Sequence, residues 1–397
     1  MKPLFLSHFT ATSSIGQGLS QTLDALCGRK AGLALCHFDT VDIDTYVGEV
    51  ANVDDTVIRP DLQSFDCRNN RLLQMTLEQD GFADQVNAAI GTYGRERVGV
   101  FLGTSTSGVL QTEIAYRHRD PTTGALPPGF NYASTHNAFS PTDFAQRYFG
   151  LSGPAATVAS ACSSSAKVFG SARRMIEAGL IDAAIIGGVD SLCLTTLYGF
   201  MSLELISPLP CRPYDATRAG ISIGEAAAVL LLERAPDHLD ADAMLLRGIG
   251  ESSDAYHMSS PHPEGLGAKM AMEQALAMAG LKPEQIDYIN LHGTATITND
   301  AAEGNAVAAL FGSSVACSST KGATGHTLGA AGGLEAVISA LAIRNGLAPA
   351  GLNTTAVDPQ IPLHYLRDNA KQRVDYVLSN SFGFGGTNCS LVLGRAN

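Results

Sequence analysis

One thiol and two imidazoles stand in settings that set them apart from other residues of their type. Cys162 lies in Thr157-Val-Ala-Ser-Ala-Cys162-Ser-Ser-Ser-Ala-Lys-Val-Phe169, an apolar, strand-like stretch that stops at the thiol and gives way to small residues opening a helix. Aligned N–H dipoles at a helix N-terminus favour negative charge, so a thiol there is expected to ionise more readily than its usual pKa of about 8.5. The segment alone is equally consistent with a small thiol packed at a tight strand-helix junction. His292 follows another strand-like run and begins His292-Gly-Thr294-Ala-Thr296-Ile-Thr-Asn-Asp300-Ala-Ala-Glu303. His326 closes Lys321-Gly-Ala-Thr-Gly-His326. Either histidine by itself reads better as a structural residue, but Gly, Ala and Thr around both imidazoles permit close approach of another molecule.

A fourth segment, Asn380-Ser-Phe382-Gly-Phe384-Gly-Gly-Thr-Asn388, runs into the strand-like Cys389-Ser-Leu-Val-Leu-Gly394. Neither a P-loop lysine nor a strand-GxGxxG-helix order is present, so the glycines do not read as a nucleotide cradle. They suit a flexible turn beside a substrate, with Phe384 able to swing and a backbone N–H free to meet an oxyanion.

These segments need a frame that gathers strand ends. Strand-like runs at 98–103, 183–188, 226–233, 286–291 and 376–379 alternate with helical stretches, which predicts an α/β fold. Several runs are apolar on successive residues, as in a sheet covered on both faces. The helix after Cys162 is predicted to end near Glu177, with Gly179 as its stop. A polar stretch, Arg234 to Asp242, marks a junction near residue 237, dividing 1–236 from 237–397. Each half is expected to end in a hairpin-like pair, at 220–225 and 382–388, which hints at an internal duplication.

Bulk composition narrows the function. The chain has 397 residues, 45% hydrophobic and 16% charged, with 41 Gly and no Trp, a composition that describes a compact protein with tightly packed small residues. A net charge of −12 argues against a nucleic-acid role. No run of about 18 apolar residues occurs, and the N-terminus is too short and polar for a signal peptide, so a cytoplasmic, non-membrane protein is expected. The eight cysteines form no CxxC pair and no zinc-spaced Cys/His cluster, so no metal site is expected.

Together, Cys162 in Ser-Ala-Cys-Ser-Ser, His292 with Asp300 and Glu303, Lys321 with His326, and the 380–388 glycine turn resemble the β-ketoacyl-acyl carrier protein synthases. The likeness extends to 172–188, to Cys211-Arg-Pro-Tyr-Asp215 with Arg218, and to Gly224-Glu225. It implies a thiolase-like fold, with two similar βα halves stacked as α-β-α-β-α layers. The Cys-His-His set is similar to the elongating enzymes. The resemblance implies that Cys162 accepts an acyl group and that the backbone N–H groups of Cys162 and Phe384 hold the oxyanion. His292 and His326 would then meet the enolate left by malonyl decarboxylation. It further implies a Lys321–Glu303 charged pair positioning the histidine loops, with Asp300 in support, and leaves open whether Lys321 also acts on the malonyl carboxylate.

Thr294 and Thr296 are candidates for phosphopantetheine amides or for their own backbone, Phe382 for substrate contact, and Thr106 with Ser107 for the acyl pocket. The resemblance implies that phosphopantetheine arrives on an acyl carrier protein, with no bound cofactor expected. Arg68, Arg71, Arg117 and Arg119 are candidates for carrier docking. A homodimer is implied, or a heterodimer with a related subunit. The polar Thr106–Ser107 pair and the short 207–211 loop open the alternatives of a polyene or polyketide condensing subunit, or a non-catalytic chain-length-factor-like partner.

Overall fold

A computed structural model describes residues 2–396. In chain order its main strands are β1 (Leu4–Ser13), β2 (Val98–Gly103), β3 (Ala155–Val158), β4 (Ala183–Asp190), β5 (Ala226–Arg234), β6 (Met244–Ser253), β7 (Tyr288–Asn290), β8 (Ala316–Ser318), β9 (Tyr376–Gly383) and β10 (Thr387–Arg395). The helices that matter here are α1 (Arg68–Leu77), α2 (Phe82–Tyr93), α3 (Ser140–Tyr148), α4 (Ser164–Glu177), α5 (Leu194–Ser202), α6 (Leu266–Ala279), α7 (Ile297–Phe311), the single turn α8 (Lys321–Thr324) and α9 (Ala331–Asn345).

Hydrogen bonding runs β8-β7-β9-β10-β6-β1-β5-β4-β2-β3. Outward from the β6–β1 joint, each half repeats one pattern. β1–β5 and β5–β4 are antiparallel, and β4–β2 and β2–β3 are parallel. β6–β10 and β10–β9 are antiparallel, and β9–β7 and β7–β8 are parallel. This is the internal duplication. Among the described residues, the two halves of the sheet are joined by two register pairs, Leu4 with Leu246 and Phe5 with Leu245. The chain crosses from one half to the other between Arg234 and Met244.

The successive apolar residues of β5 show why both sheet faces are covered. Ala226, Ala228, Leu230 and Leu232 enter a central core, while Ala227, Val229 and Leu231 enter an outer one. The central core draws Phe169 and Ala172 from α4, Leu334 and Ile338 from α9, and strands of both halves. Helix α9 is buried from Ala331 to Ile343, so α4 and α9 form the middle layer. Helices α1, α2 and α3 cover the first half, and α6 and α7 the second. The result is α-β-α-β-α, as the resemblance implies.

Helix α4 ends at Glu177, and Gly179 takes the left-handed conformation (φ 72°) that terminates it. One expectation fails. β9 and β10 form the predicted hairpin, but residues 220–225 do not begin one. Ile223–Gly224 pairs instead with Tyr46–Gly48, because β5 already has β1 and β4 as antiparallel neighbours. Among the described residues, no helix is long and apolar enough to cross a membrane.

Candidate active site

Cys162 occupies the short turn Ala161–Ser163 between β3 and α4. The preceding Ala161 has φ 50°, a left-handed conformation uncommon outside glycine, held by a lattice of serines. The Ser164 hydroxyl donates to the Ala161 carbonyl at 2.6 Å and accepts from the Ser160 N–H at 2.9 Å, while the Ser163 hydroxyl donates to the Ser160 carbonyl at 2.9 Å. The small residues seen in the sequence therefore build the sharp turn that presents the thiol. Cys162 is 6% exposed.

His326 Nε2 lies 3.0 Å from Cys162 Sγ. Its backbone is fixed to residues just before β5, since the His326 N–H donates to Ser222 O at 2.7 Å and His326 O accepts from the Gly224 N–H at 3.0 Å. The His292 ring stands 5.3 Å from the His326 ring at 84°, and 5.9 Å from Phe382. Thiol and imidazoles thus converge from three loops of both halves, Cys162 after β3, His292 after β7 and His326 after the helical turn α8. Their ligand atoms lie within 4.8 Å of one another, so an N₂S set suited to a soft cation coincides with the reactive groups.

The histidine loops are held differently from what the resemblance implies. Lys321 pairs with Glu335 on α9, not with Glu303. Its Nζ also donates to His292 O at 2.5 Å and faces His292 Nδ1 at 3.4 Å. Glu303 instead clamps the His292 backbone. It accepts from the N–H groups of His292 and Gly293 at 2.8 Å each, from Tyr214 Oη at 2.9 Å and from Asn380 Nδ2 at 3.0 Å. With its oxygens so engaged, Glu303 has no geometry left for Lys321. The sequence reading missed Glu335, although it is the only acidic residue in the apolar helix α9.

Burial sets the electrostatics. It lowers both histidines well below the usual imidazole range, with Lys321 adding to the effect, and His326 adding further at His292, so both rings are neutral. A cation facing Nδ1 of His292 makes that nitrogen the acceptor and leaves the proton on Nε2, toward the cavity. His326 Nδ1 is buried without a hydrogen-bond partner, so nothing in the described structure locks its proton to either nitrogen. Burial also pushes the Cys162 thiol up to about 12, against the pull of Lys321 and the Phe384 N–H. The helix terminus alone therefore does not hold a thiolate. The proton needs an acceptor, and His326 Nε2 is in place.

The glycine turn delivers the Phe384 N–H to the thiol, while the Phe384 ring packs 5.6 Å from Phe200 of α5. Gly385 and Gly386 carry φ of 80° and 70°, which turns the hairpin tightly enough to aim that N–H. Phe382, Thr294 and Thr296 line the cavity with Cys162 and both histidines. Thr296 caps α7 by accepting from the Asn299 N–H at 3.3 Å, and the two threonine hydroxyls are 3.0 Å apart. In this state they bond each other and their own backbone. Asp300 is a buried loop-holder that accepts from the Tyr214 N–H at 2.8 Å and the Ala295 N–H at 3.2 Å.

Two expectations change. Thr106 does not line the cavity, because its hydroxyl is turned 2.9 Å from Asp190. Arg68 is 4% exposed and bound by Glu225, Asp54 and Glu49, which removes it as a docking residue. Arg71 and Arg117 are paired with Asp66 and Asp39. Arg119 is exposed, with Nη1 on Tyr116 O.

Comparison with known proteins agrees with this geometry. Residues 12–238 match the beta-ketoacyl synthase N-terminal domain, and 244–355 match the C-terminal domain. The chain belongs to the β-ketoacyl synthase family. Among curated relatives of this synthase, it is 34% identical over 401 residues to the 3-oxoacyl-(acyl-carrier-protein) synthase 2 of Coxiella burnetii, covering 96% of each chain. To the enzyme of the same name from Rhizobium meliloti it is 42% identical over 263 residues, 62% of each chain. Among solved structures, a ketosynthase in complex with its chain length factor from Xenorhabdus doucetiae superposes with a TM-score of 0.90 at 38% identity, covering 100% of this chain and 98% of that one. The synthase described here is an acyltransferase that performs condensation of the fatty-acid type.

Proposed function

We propose that Cys162 carries the growing acyl chain while His292 and His326 stabilise the malonyl-derived reactant, both substrates arriving on the phosphopantetheine arm of an acyl carrier protein. The observation that carries this assignment is the 3.0 Å approach of His326 Nε2 to the thiol, with a second neutral imidazole set perpendicular beside it. The Cys162 proton passes to His326 as sulfur attacks the acyl thioester, and from there to the departing pantetheine sulfur. The Cys162 and Phe384 N–H groups hold the oxyanion. His326 is then neutral again with its own proton on the unpartnered Nδ1, and by shifting to the Nε2–H tautomer it joins His292 as a donor to the thioester oxygen of the malonyl group. Loss of CO₂ leaves an enolate there, whose carbon attacks the acyl-Cys162 carbonyl and expels the thiolate. The product is a 3-oxoacyl chain longer by two carbons.

Both histidines lie deep enough that their N–H bonds strengthen in low dielectric as the enolate charge develops. The presence of nucleophile and both donors supports the active member of any pair over a non-catalytic chain-length-factor-like partner. A two-chain assembly is supported by β3, which ends the sheet with its outer edge unpaired among the described residues and its side chains only partly covered. The Xenorhabdus ketosynthase with its chain length factor supports a heterodimer in a specialised pathway as the second reading. Eight unpaired cysteines support a reducing, cytoplasmic setting.

Incubation with a panel of acyl carrier proteins, read by intact mass, tests the assignment. An adduct that is absent in Cys162→Ser is expected, and no adduct with any acyl donor contradicts it. Copurification and light scattering decide between homodimer and heterodimer.

A further inference from the structure

Asp190 ends β4, is fully buried, and has no place in the chemistry above. Its carboxylate gathers two loops. From the turn after β2 it accepts from Thr104 Oγ1 at 2.6 Å, Ser105 N at 2.8 Å, Ser105 Oγ at 2.5 Å, and Thr106 N and Oγ1 at 2.9 Å each. From the His326 loop it accepts from Gly329 N at 2.5 Å. The contact has no slack, because a Cβ on Gly329 would stand 2.7 Å from Asp190 Oδ2 and 2.8 Å from Ser105 N. Leu328, one residue earlier, is held at φ 52°.

The two loops bound an apolar region next to the reactive cavity. The cavity reaches Phe200 and Ile221, which also belong to a cluster containing Leu110, Leu192, Leu197 and Leu328. For an alkyl chain attached to Cys162 and too long for the cavity, that cluster is an adjoining apolar space. Its walls are the segment after Thr106, the segment after Asp190 and the turn after His326.

We propose that Asp190 is a positioning residue that ties the wall of the acyl pocket to the His326 loop, setting both the chain length accepted at Cys162 and the place of His326 during decarboxylation. The second half of this statement rests on the condensation proposed above. The six donors on one carboxylate explain why Thr106 points away from the cavity, and they fix the turn three residues beyond the imidazole. A shift of about 1 Å at such a group changes rates by about a hundredfold.

Asp190→Asn places an amide NH₂ among N–H donors without changing shape, and Gly329→Ala presses on the same contact from the other side. Two readouts separate the claims. Alkylation of Cys162 by N-alkyl iodoacetamides of two to twelve carbons probes the pocket without any carrier protein. Release of CO₂ from malonyl carrier protein probes His326. In both variants iodoacetamide itself is expected to react within about threefold of the parent, the dependence on alkyl length to change by about fivefold, and CO₂ release to fall about tenfold or more.

Length dependence and CO₂ release within twofold of the parent in both variants overturn the proposal. So does a uniform loss of every rate in proportion to the folded fraction seen by circular dichroism. A parent protein that alkylates but releases no CO₂ contradicts the condensation reading instead, and the alkylation series still decides the role of Asp190 in the pocket.

Discussion

His326→Ala is expected to impair acylation as well as decarboxylation, whereas His292→Ala is expected to impair decarboxylation alone. Holding the thiol at about 12 instead of the ordinary 9.0 makes the thiolate about a thousandfold scarcer, equivalent to ~4 kcal/mol. At pH 7.5 an isolated thiol of that kind is ionised to about one part in 30,000. An acceptor 3.0 Å away removes the need for a standing thiolate, and a positioned base contributes typically about 100- to 10,000-fold.

His326→Ala should therefore acylate from an acyl carrier protein at least about a hundredfold more slowly, with a rate that climbs steadily to pH 10. His292→Ala should acylate within about threefold of the parent, because Lys321 and the His292 loop do not touch the sulfur. Single-turnover mass spectrometry between pH 6 and 10 measures both. If His326→Ala acylates at the parental rate with the parental pH profile, the helix terminus supplies the thiolate and His326 is a donor only.

Three further outcomes follow from the buried network. Lys321→Met leaves Glu335 without its cation. Burial already raises Glu335 to about 7 from 4.5, so its contribution is present below the ordinary carboxyl value and lost as pH rises through about 7. Urea denaturation of Lys321→Met should show a loss of about 3 kcal/mol at pH 8 and a smaller one at pH 6. Glu303→Ala orphans the N–H groups of His292 and Gly293, and should cost about 3 kcal/mol by the same measurement while slowing CO₂ release. Gly386→Val places a Cβ 2.9 Å from that of Asp254 at a φ of 70°, and should slow acylation about tenfold by displacing the Phe384 N–H while costing about 2 kcal/mol in urea denaturation.

The reactive residues were legible because each stands among small residues shortly after a strand, or for His326 after the turn α8, a pattern visible along one segment at a time. The fold was legible for a related reason. Runs such as 226–233 are apolar without alternation, as expected of a doubly covered sheet. What sequence did not reveal was pairing across distance. Glu303 and Glu335 are both buried acids in helices, and nothing local says which one meets Lys321. The cation's reach across the His292 carbonyl decides it. Thr106 failed similarly, since its orientation is set by Asp190, 84 residues away. The burial that raises the Cys162 thiol was not legible either, because a helix terminus is a local feature while burial is set by the whole fold around the turn.

The central claim, that Cys162 holds the chain while two neutral imidazoles activate the other reactant, is tested most directly by one sequential experiment. Enzyme is loaded with an acyl carrier protein, desalted, and given malonyl carrier protein, with protein and product followed by intact mass. An acyl adduct on Cys162 that disappears as a product two carbons longer, with one equivalent of CO₂, is the predicted result. An adduct that persists while malonyl carrier protein is decarboxylated, or elongation by Cys162→Ser, contradicts it.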